Sequence, residues 1–238
     1  MTPQSEKGRK TIGALFSSIA PTYDFLNHLL SLGCDTQWRK QLVRGTILPA
    51  NGIVLDLCTG TGDVALAILR ERGDFQGEIV AIDFSAMMVD NARAKIAQLG
   101  PPYPRRVDFM MGDALDLQFP DDKFDAVTVA FGVRNFEQIW AGLNEIRRVL
   151  KPSGQVCILE FFGDGAENGL IQRYADLVVP AVGDLVSHTK AYSYLRRSSG
   201  EFFTRPEFEN ILKFVGFTDI SWEPLTFGIA HIVRARKG

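Results

Sequence analysis

Cysteine is scarce and its few copies stand apart. Cys34, Cys58 and Cys157 form no C-x-x-C pair, which argues against a disulfide framework or a metal site and suits a reducing compartment. Charge of one sign is missing too. Lys and Arg number 26 against 28 Asp and Glu, a formal net charge of −2, so no basic face for nucleic acid is expected. No apolar run reaches the roughly 18 residues of a membrane-spanning helix; the nearest, residues 170–186, carries Arg173, Asp176 and Asp184. The first ten residues are polar and lack the apolar segment of a secretory signal. Internal repeats and low-complexity stretches are absent. With 46% hydrophobic and 23% charged residues among 238, the remaining class is an ordinary globular chain with one substantial core, expected in the cytoplasm.

What the chain does have is rhythm. Residues 11–48 read as helix, with Leu15, Ile19, Phe25, Leu26, Leu29, Leu30, Trp38 and Leu42 at three- and four-residue spacing and Pro21 and Gly33 as breaks. Strands are then predicted at 53–57, 78–83, 107–111, 124–131 and 155–161, interleaved with helices at 63–72, 85–99 and 137–150; Ser85 reads as an N-cap. Strands apolar throughout suit a parallel sheet covered on both faces, and the β-α-β repetition predicts a doubly wound α/β fold. Beyond Phe161 the rhythm changes, ending in a helix over 208–215 and strands at 218–223 and 228–236. The expected organisation is one domain: a helical lid over 1–48, a cofactor-binding core over 49–161, a covering insertion over 162–205, and a C-terminal helix and strand pair over 206–238.

The first strand runs into Gly60-Thr61-Gly62, and the second ends in Asp83. Glycines there let backbone approach a ligand, and a carboxylate closing the next strand accepts ribose hydroxyls; Asp83 would otherwise cap the following helix. Gly60-x-Gly62-x-x-Ala65 also satisfies the dinucleotide pattern, so a nicotinamide-dependent oxidoreductase is one reading. Three features favour S-adenosylmethionine instead. Asp56 precedes the turn, where it would meet an ammonium group. Asp113 and Ala114 follow the third strand, where a carboxylate would meet an adenine amino group. Helix also precedes the first strand, where dinucleotide domains often begin directly.

Several motifs carry a resemblance. Val54-Leu-Asp-Leu-Cys-Thr-Gly-Thr-Gly-Asp63, Gly112-Asp-Ala-Leu-Asp-Leu-Gln-Phe-Pro120 and Phe124-Asp125 resemble motifs of class I methyltransferases. The segment from Tyr23 to Lys40, Phe131-Gly-Val-Arg134-Asn135, Arg148-Val-Leu-Lys-Pro152, Leu159-Glu160, Tyr192-Ser-Tyr194-Leu195 and Thr226-Phe-Gly228 are similar to those of the quinone C-methyltransferases of menaquinone and ubiquinone biosynthesis. The resemblance implies a Rossmann-like, mostly parallel sheet with an antiparallel C-terminal strand and N-terminal helices. It implies S-adenosylmethionine held at Thr61, Asp83, Asp113 and Ala114, with Ala130 where the family sometimes adds a serine. It also implies methylation of a polyprenylated hydroquinone, demethylmenaquinol first and the corresponding ubiquinone-pathway benzoquinol as the alternative. A non-catalytic cofactor-binding module is a further reading.

Such chemistry needs positioning, phenolate stabilisation and a proton acceptor. Arg134 and Asn135 are the candidates for the phenolate, although Arg134 would equally pair with Asp24 or Glu160. Asp35, His188 and Asp24 are candidates for the base, and Tyr23, Asp24 and Asn27 for a lid. Cys58 and His231 read as packing residues. Residues 170–186 and 192–203 would cover the site and guide an isoprenoid tail, or form core or a homodimer face. A lipid-soluble quinol implies peripheral contact with the inner face of a membrane. The chain departs from the family at Asp35, usually histidine, at Ser153, usually glycine, and at Phe162, commonly a small hydroxyl residue; the last is expected to alter a pocket wall.

Overall fold

The computed structural model describes residues 28–101, 103–165, 169 and 200–238. Tyr23, Asp24, Asn27 and His188, and with them most of the proposed lid and covering insertion, lie outside the described residues.

Five parallel strands follow the predicted rhythm: β1 (Ile53–Leu57), β2 (Glu78–Asp83), β3 (Val107–Met111), β4 (Phe124–Ala130) and β5 (Leu150–Glu160). Helices α1 (Cys34–Arg44), α2 (Asp63–Glu71), α3 (Ala86–Ala97) and α4 (Ile139–Val149) accompany them, and α5 (Arg205–Val215), β6 (Phe217–Leu225) and β7 (Ala230–Lys237) complete the described fold. The sheet order is β3-β2-β1-β4-β5-β7-β6. β7 lies antiparallel between β5 and β6, so the C-terminal hairpin extends the same sheet and only β7 runs against the rest. Pro224 is tolerated in β6 because that strand is an edge.

β1 shows why its apolar run is needed. Val54 packs with Trp38, Leu42, Ile68 and Ile96 on the side of α1, α2 and α3. Leu55 and Leu57 pack with Leu143, Ile146, Phe208 and Leu212 on the side of α4 and α5. A strand between two helical layers has no solvent face to leave polar. The described part of residues 1–48 is therefore no detached lid: Trp38, Leu42 and Val43 of α1 are buried in the same core as α2.

Helix starts follow local chemistry. Ser85 caps α3, its hydroxyl accepting from the Met88 amide at 3.4 Å. α5 begins three residues before the expected start because Thr204 and Glu207 form a capping box and proline stands in its first turn. β5 is the main difference from expectation. It begins at Leu150 rather than Gln155, pairing with Phe124 before a register shift ahead of Ala126 and Gln155. Lys151-Pro-Ser-Gly154 reads as a turn but is an irregularity inside a strand, and Ser153 takes a φ of +61° there, a conformation that glycine adopts freely. Phe162 is no pocket wall. It is buried in the α5-side core against Phe202, Phe208, Trp222 and His231.

Candidate active site

β1 has β2 on one side and β4 on the other, both parallel to it. The chain therefore leaves in opposite directions from this point, and a crevice opens at the carboxyl ends of these strands. The open cleft found there encloses about 930 Å³, part of it solvent, and is lined among others by Gly60, Asp83, Asp113, Ala114, Ala130 and Asn135.

The turn after β1 is built from left-handed residues: Cys58 at φ +57°, Gly60 at +56° and Gly62 at +83°. The two glycines have different tasks. A Cβ on Gly60 would meet nothing within 4 Å, so its backbone faces open space, whereas one on Gly62 would lie 3.1 Å from Ala92 and 3.2 Å from Phe109. Gly60 serves the cleft, and Gly62 lets α2 pack beside α3 and β3. Asp83 ties the turn to the next strand. Its Oδ2 accepts from the Gly60 amide at 2.8 Å and its Oδ1 from the Ser85 amide at 2.9 Å. Burial pushes its carboxyl up, with those amides and that of Phe84 opposing. Asp113 braces the third loop by accepting from the Leu115 amide at 2.9 Å. Cys58 lines the cleft as a neutral thiol, since burial, followed by Asp83 and Asp56, raises its pKa well above the ordinary value.

Residues 3–237 match the ubiE/COQ5 methyltransferase family. The chain belongs to that family. It is 44% identical over 238 residues, 98% of this chain and 91% of the other, to a Geobacter sulfurreducens protein named ubiquinone/menaquinone biosynthesis C-methyltransferase UbiE. It is 43% identical over 222 residues, 92% of this chain and 97% of the other, to a Thermus thermophilus protein named demethylmenaquinone methyltransferase. In fold it resembles an S-adenosylmethionine-dependent methyltransferase from Aquifex aeolicus, with a TM-score of 0.62 at 19% identity over 84% of this chain and 89% of that one. Family and fold make this a methyltransferase and imply S-adenosylmethionine as its methyl donor, which removes the oxidoreductase reading.

Four expected site residues of the methyltransferase are placed elsewhere. Asp56 does not reach the cleft. It has no exposed surface and accepts from Thr59 Oγ1 at 2.5 Å and Thr128 Oγ1 at 2.9 Å, so it braces the turn from beneath. Thr61 is buried, its hydroxyl accepting from Lys95 Nζ at 3.0 Å. Lys95 also holds Asp63 at 2.8 Å, Asp63 lies 3.5 Å from Arg39, and Arg39 donates to Asp35 at 2.6 Å. Asp35 thus belongs to an ion-pair chain and is not among the residues lining the described cleft. Burial pushes its carboxyl up, but Arg39, Ser31 and His28 outweigh that and hold it below its ordinary value.

Arg134 is the fourth. Its side chain is 4% exposed and paired with the fully buried Glu160, which also accepts from the Arg134 amide at 3.5 Å. It lies in the short helical turn Val133–Asn135, and of Arg134 and Asn135 only Asn135 is among the residues lining the described cleft. His231 is buried in β7 beside Trp222, as expected of sheet lining. Sequence reasoning missed Phe84 and Phe131, both of which line the cleft. The signal was available, because β2 and β4 are each followed at once by phenylalanine, and residues just beyond the carboxyl ends of parallel strands face the crevice.

Proposed function

We propose that the protein uses S-adenosylmethionine to methylate a ring carbon of a polyprenylated hydroquinone, converting demethylmenaquinol into menaquinol. The observation that carries this reading is one open cleft with Asp83 and Asp113 at the ends of adjacent strands and aromatic residues beside β4, at its other end. The residues present suit the cofactor. The Asp83 oxygens retain lone pairs beyond the two amide bonds for ribose hydroxyls. Asp113 offers an acceptor to an adenine amino group, and the open side of Gly60 leaves room for the ligand. When bound, S-adenosylmethionine supplies a methyl group on a sulfonium, open to displacement by a carbon nucleophile.

A neutral arene is a weak nucleophile, and a deprotonated phenol makes its neighbouring carbon a strong one. The chain's part is to hold the two reactants in line and to stabilise the phenolate. Asn135, at the β4 end of the cleft, would serve the second task through its side-chain amide. Arg134 and Glu160 act behind it by keeping the turn in place. The isoprenoid tail of the acceptor makes peripheral membrane contact part of the same reading; no helix among the described residues is long and apolar enough to cross a membrane.

Two measurements test this. Calorimetry is expected to show binding of S-adenosylhomocysteine and none of NAD. Incubation with methyl-labelled S-adenosylmethionine and short-chain acceptors is expected to label demethylmenaquinol over 2-methoxy-6-polyprenyl-1,4-benzoquinol. Preferential labelling of the benzoquinol would overturn the choice of acceptor, and labelling of neither would overturn the reading.

A further inference from the structure

Two segments carry part of the sequence resemblance far apart in the chain, Trp38 and the run Thr226-Phe227-Gly228. The structure joins them. The Trp38 indole N–H donates to Thr226 Oγ1 at 2.8 Å, across 188 residues of chain. Thr226 and Phe227 are the centre of the hairpin between β6 and β7, closed by the Gly228 amide donating to the Leu225 carbonyl at 3.0 Å. Both have positive φ, +44° and +56°. Left-handed central residues suit a two-residue hairpin, but the ordinary choice is Asn-Gly, and a β-branched residue in that conformation is an outlier. What threonine adds is a hydroxyl that receives the N–H of a tryptophan only 4% exposed, a donor that needs a partner when buried.

Trp38 in turn backs the acceptor end of the cleft. Its ring lies 6.1 Å from that of Phe131 and 6.1 Å from that of Phe161, and these two are 4.7 Å apart. Arg134 lies over Phe161 at 5.7 Å. Phe131 is the member that lines the cleft. It too has a positive φ, +57°, unusual for a bulky residue and held by its amide donating to the Leu159 carbonyl at 2.8 Å. Backbone strain of this kind concentrates where a side chain is held for a ligand. Here two residues of positive φ bear on one aromatic group, Phe131 as a member and Thr226 through Trp38.

We infer that Phe131, backed by Phe161 and Trp38, is the face on which the acceptor's aromatic ring stacks, and that Thr226 and Trp38 are positioning residues for that face. The inference rests on the proposed acceptor class. It separates the two ligands: the hairpin and α1 govern the ring of the acceptor, while Gly60, Asp83 and Asp113 govern the cofactor.

The test uses the full chain, with Thr226→Val, which keeps the shape and loses the hydrogen-bond acceptor, Thr226→Ser, which keeps it, and Trp38→Phe, which keeps an aromatic ring and loses the donor. KM for short-chain demethylmenaquinol is expected to rise about tenfold in Thr226→Val, the value of one buried hydrogen bond, with the loss concentrated in KM rather than kcat. Trp38→Phe is expected to match it, Thr226→Ser to stay within about twofold of wild type, and the calorimetric Kd for S-adenosylhomocysteine to remain unchanged in all three. If Thr226→Val does not fold, Trp38→Phe against Thr226→Ser gives the same comparison. Wild-type turnover with an unchanged KM in the variants, or cofactor affinity falling alongside KM, overturns this inference alone. A wild type that binds S-adenosylhomocysteine but methylates no quinol overturns the proposed acceptor and this inference with it.

Discussion

A carboxylate with no water around it is costly to ionise, and Asp56 is in that position. Burial pushes its pKa from 3.8 up to about 6, against the hydrogen bonds of Thr59, Thr128 and Ala65. The folded protein therefore keeps this proton over a range in which the unfolded chain has lost it, and stability falls as pH rises from 3.8 to about 6 and is level above. Asparagine has no such titration. Whatever constant offset the amide introduces, the stability difference between Asp56→Asn and wild type is expected to move in favour of the variant by roughly 2–3 kcal/mol between about pH 4 and about pH 7. Urea denaturation at a series of pH values measures it, and a difference flat with pH would show that Asp56 titrates normally. Nothing local marks Asp56 as structural. An acidic residue just before a glycine turn reads as a ligand, and its true role depends on Thr128, 72 residues further on. For Arg134 the sequence already offered Glu160, 26 residues away, as a partner, and the structure pairs the two. That Asp83, Asp113, Ala114, Ala130, Gly60 and Asn135 line the cleft was legible because strand ends and turns position them without distant help.

At the scale of elements, α1 is bolted to α2 by charge as well as by apolar packing. Arg39, buried in α1, lies between Asp35 of its own helix and Asp63 at the start of α2. Removing one partner of a buried pair leaves the other uncompensated. Arg39→Met is expected to destabilise the fold by about 3 kcal/mol near neutral pH, read from denaturant midpoints. The deficit should shrink in acid. In wild type, the lowered pKa of Asp35 contributes stability that is present above the unfolded value of 3.8 and is lost as pH falls through the folded one. In the variant burial acts on Asp35 against the hydrogen bonds of Ser31 and His28 alone, its carboxyl moves up, and protonation relieves it. A deficit that stays constant on acidification would mean that Asp35 does not carry the effect. Elements themselves were largely readable: β1, β2 and β3 coincide with the apolar runs that predict them. β5 was not, because Pro152 and Ser153 are turn residues by composition, and only pairing of Leu150 with Phe124 keeps them in a strand.

At the scale of the molecule, a ligand that binds only the folded protein stabilises all of it. S-adenosylhomocysteine at about a hundred times its Kd is expected to add about 2.7 kcal/mol and raise the melting temperature by about 5–10 °C, with NAD leaving it unmoved. Differential scanning calorimetry reads both, and an equal shift with NAD would contradict a cleft selective for one cofactor. The doubly wound class was legible from rhythm alone, since β-α-β repetition leaves few topologies open. The place of β7 was not, because a hairpin signal says that two strands pair and not which of them joins the sheet. That placement has a consequence for how the chain acquires its shape. β6 comes before β7 in the chain, yet among the described strands its one sheet neighbour is β7. Until β7 is seated, β6 has no partner among the described strands and the free margin of β5 stays bare. Unpaired strand margins pair readily with other chains, so a chain in which β7 has not yet been seated carries two such margins at one end of its sheet.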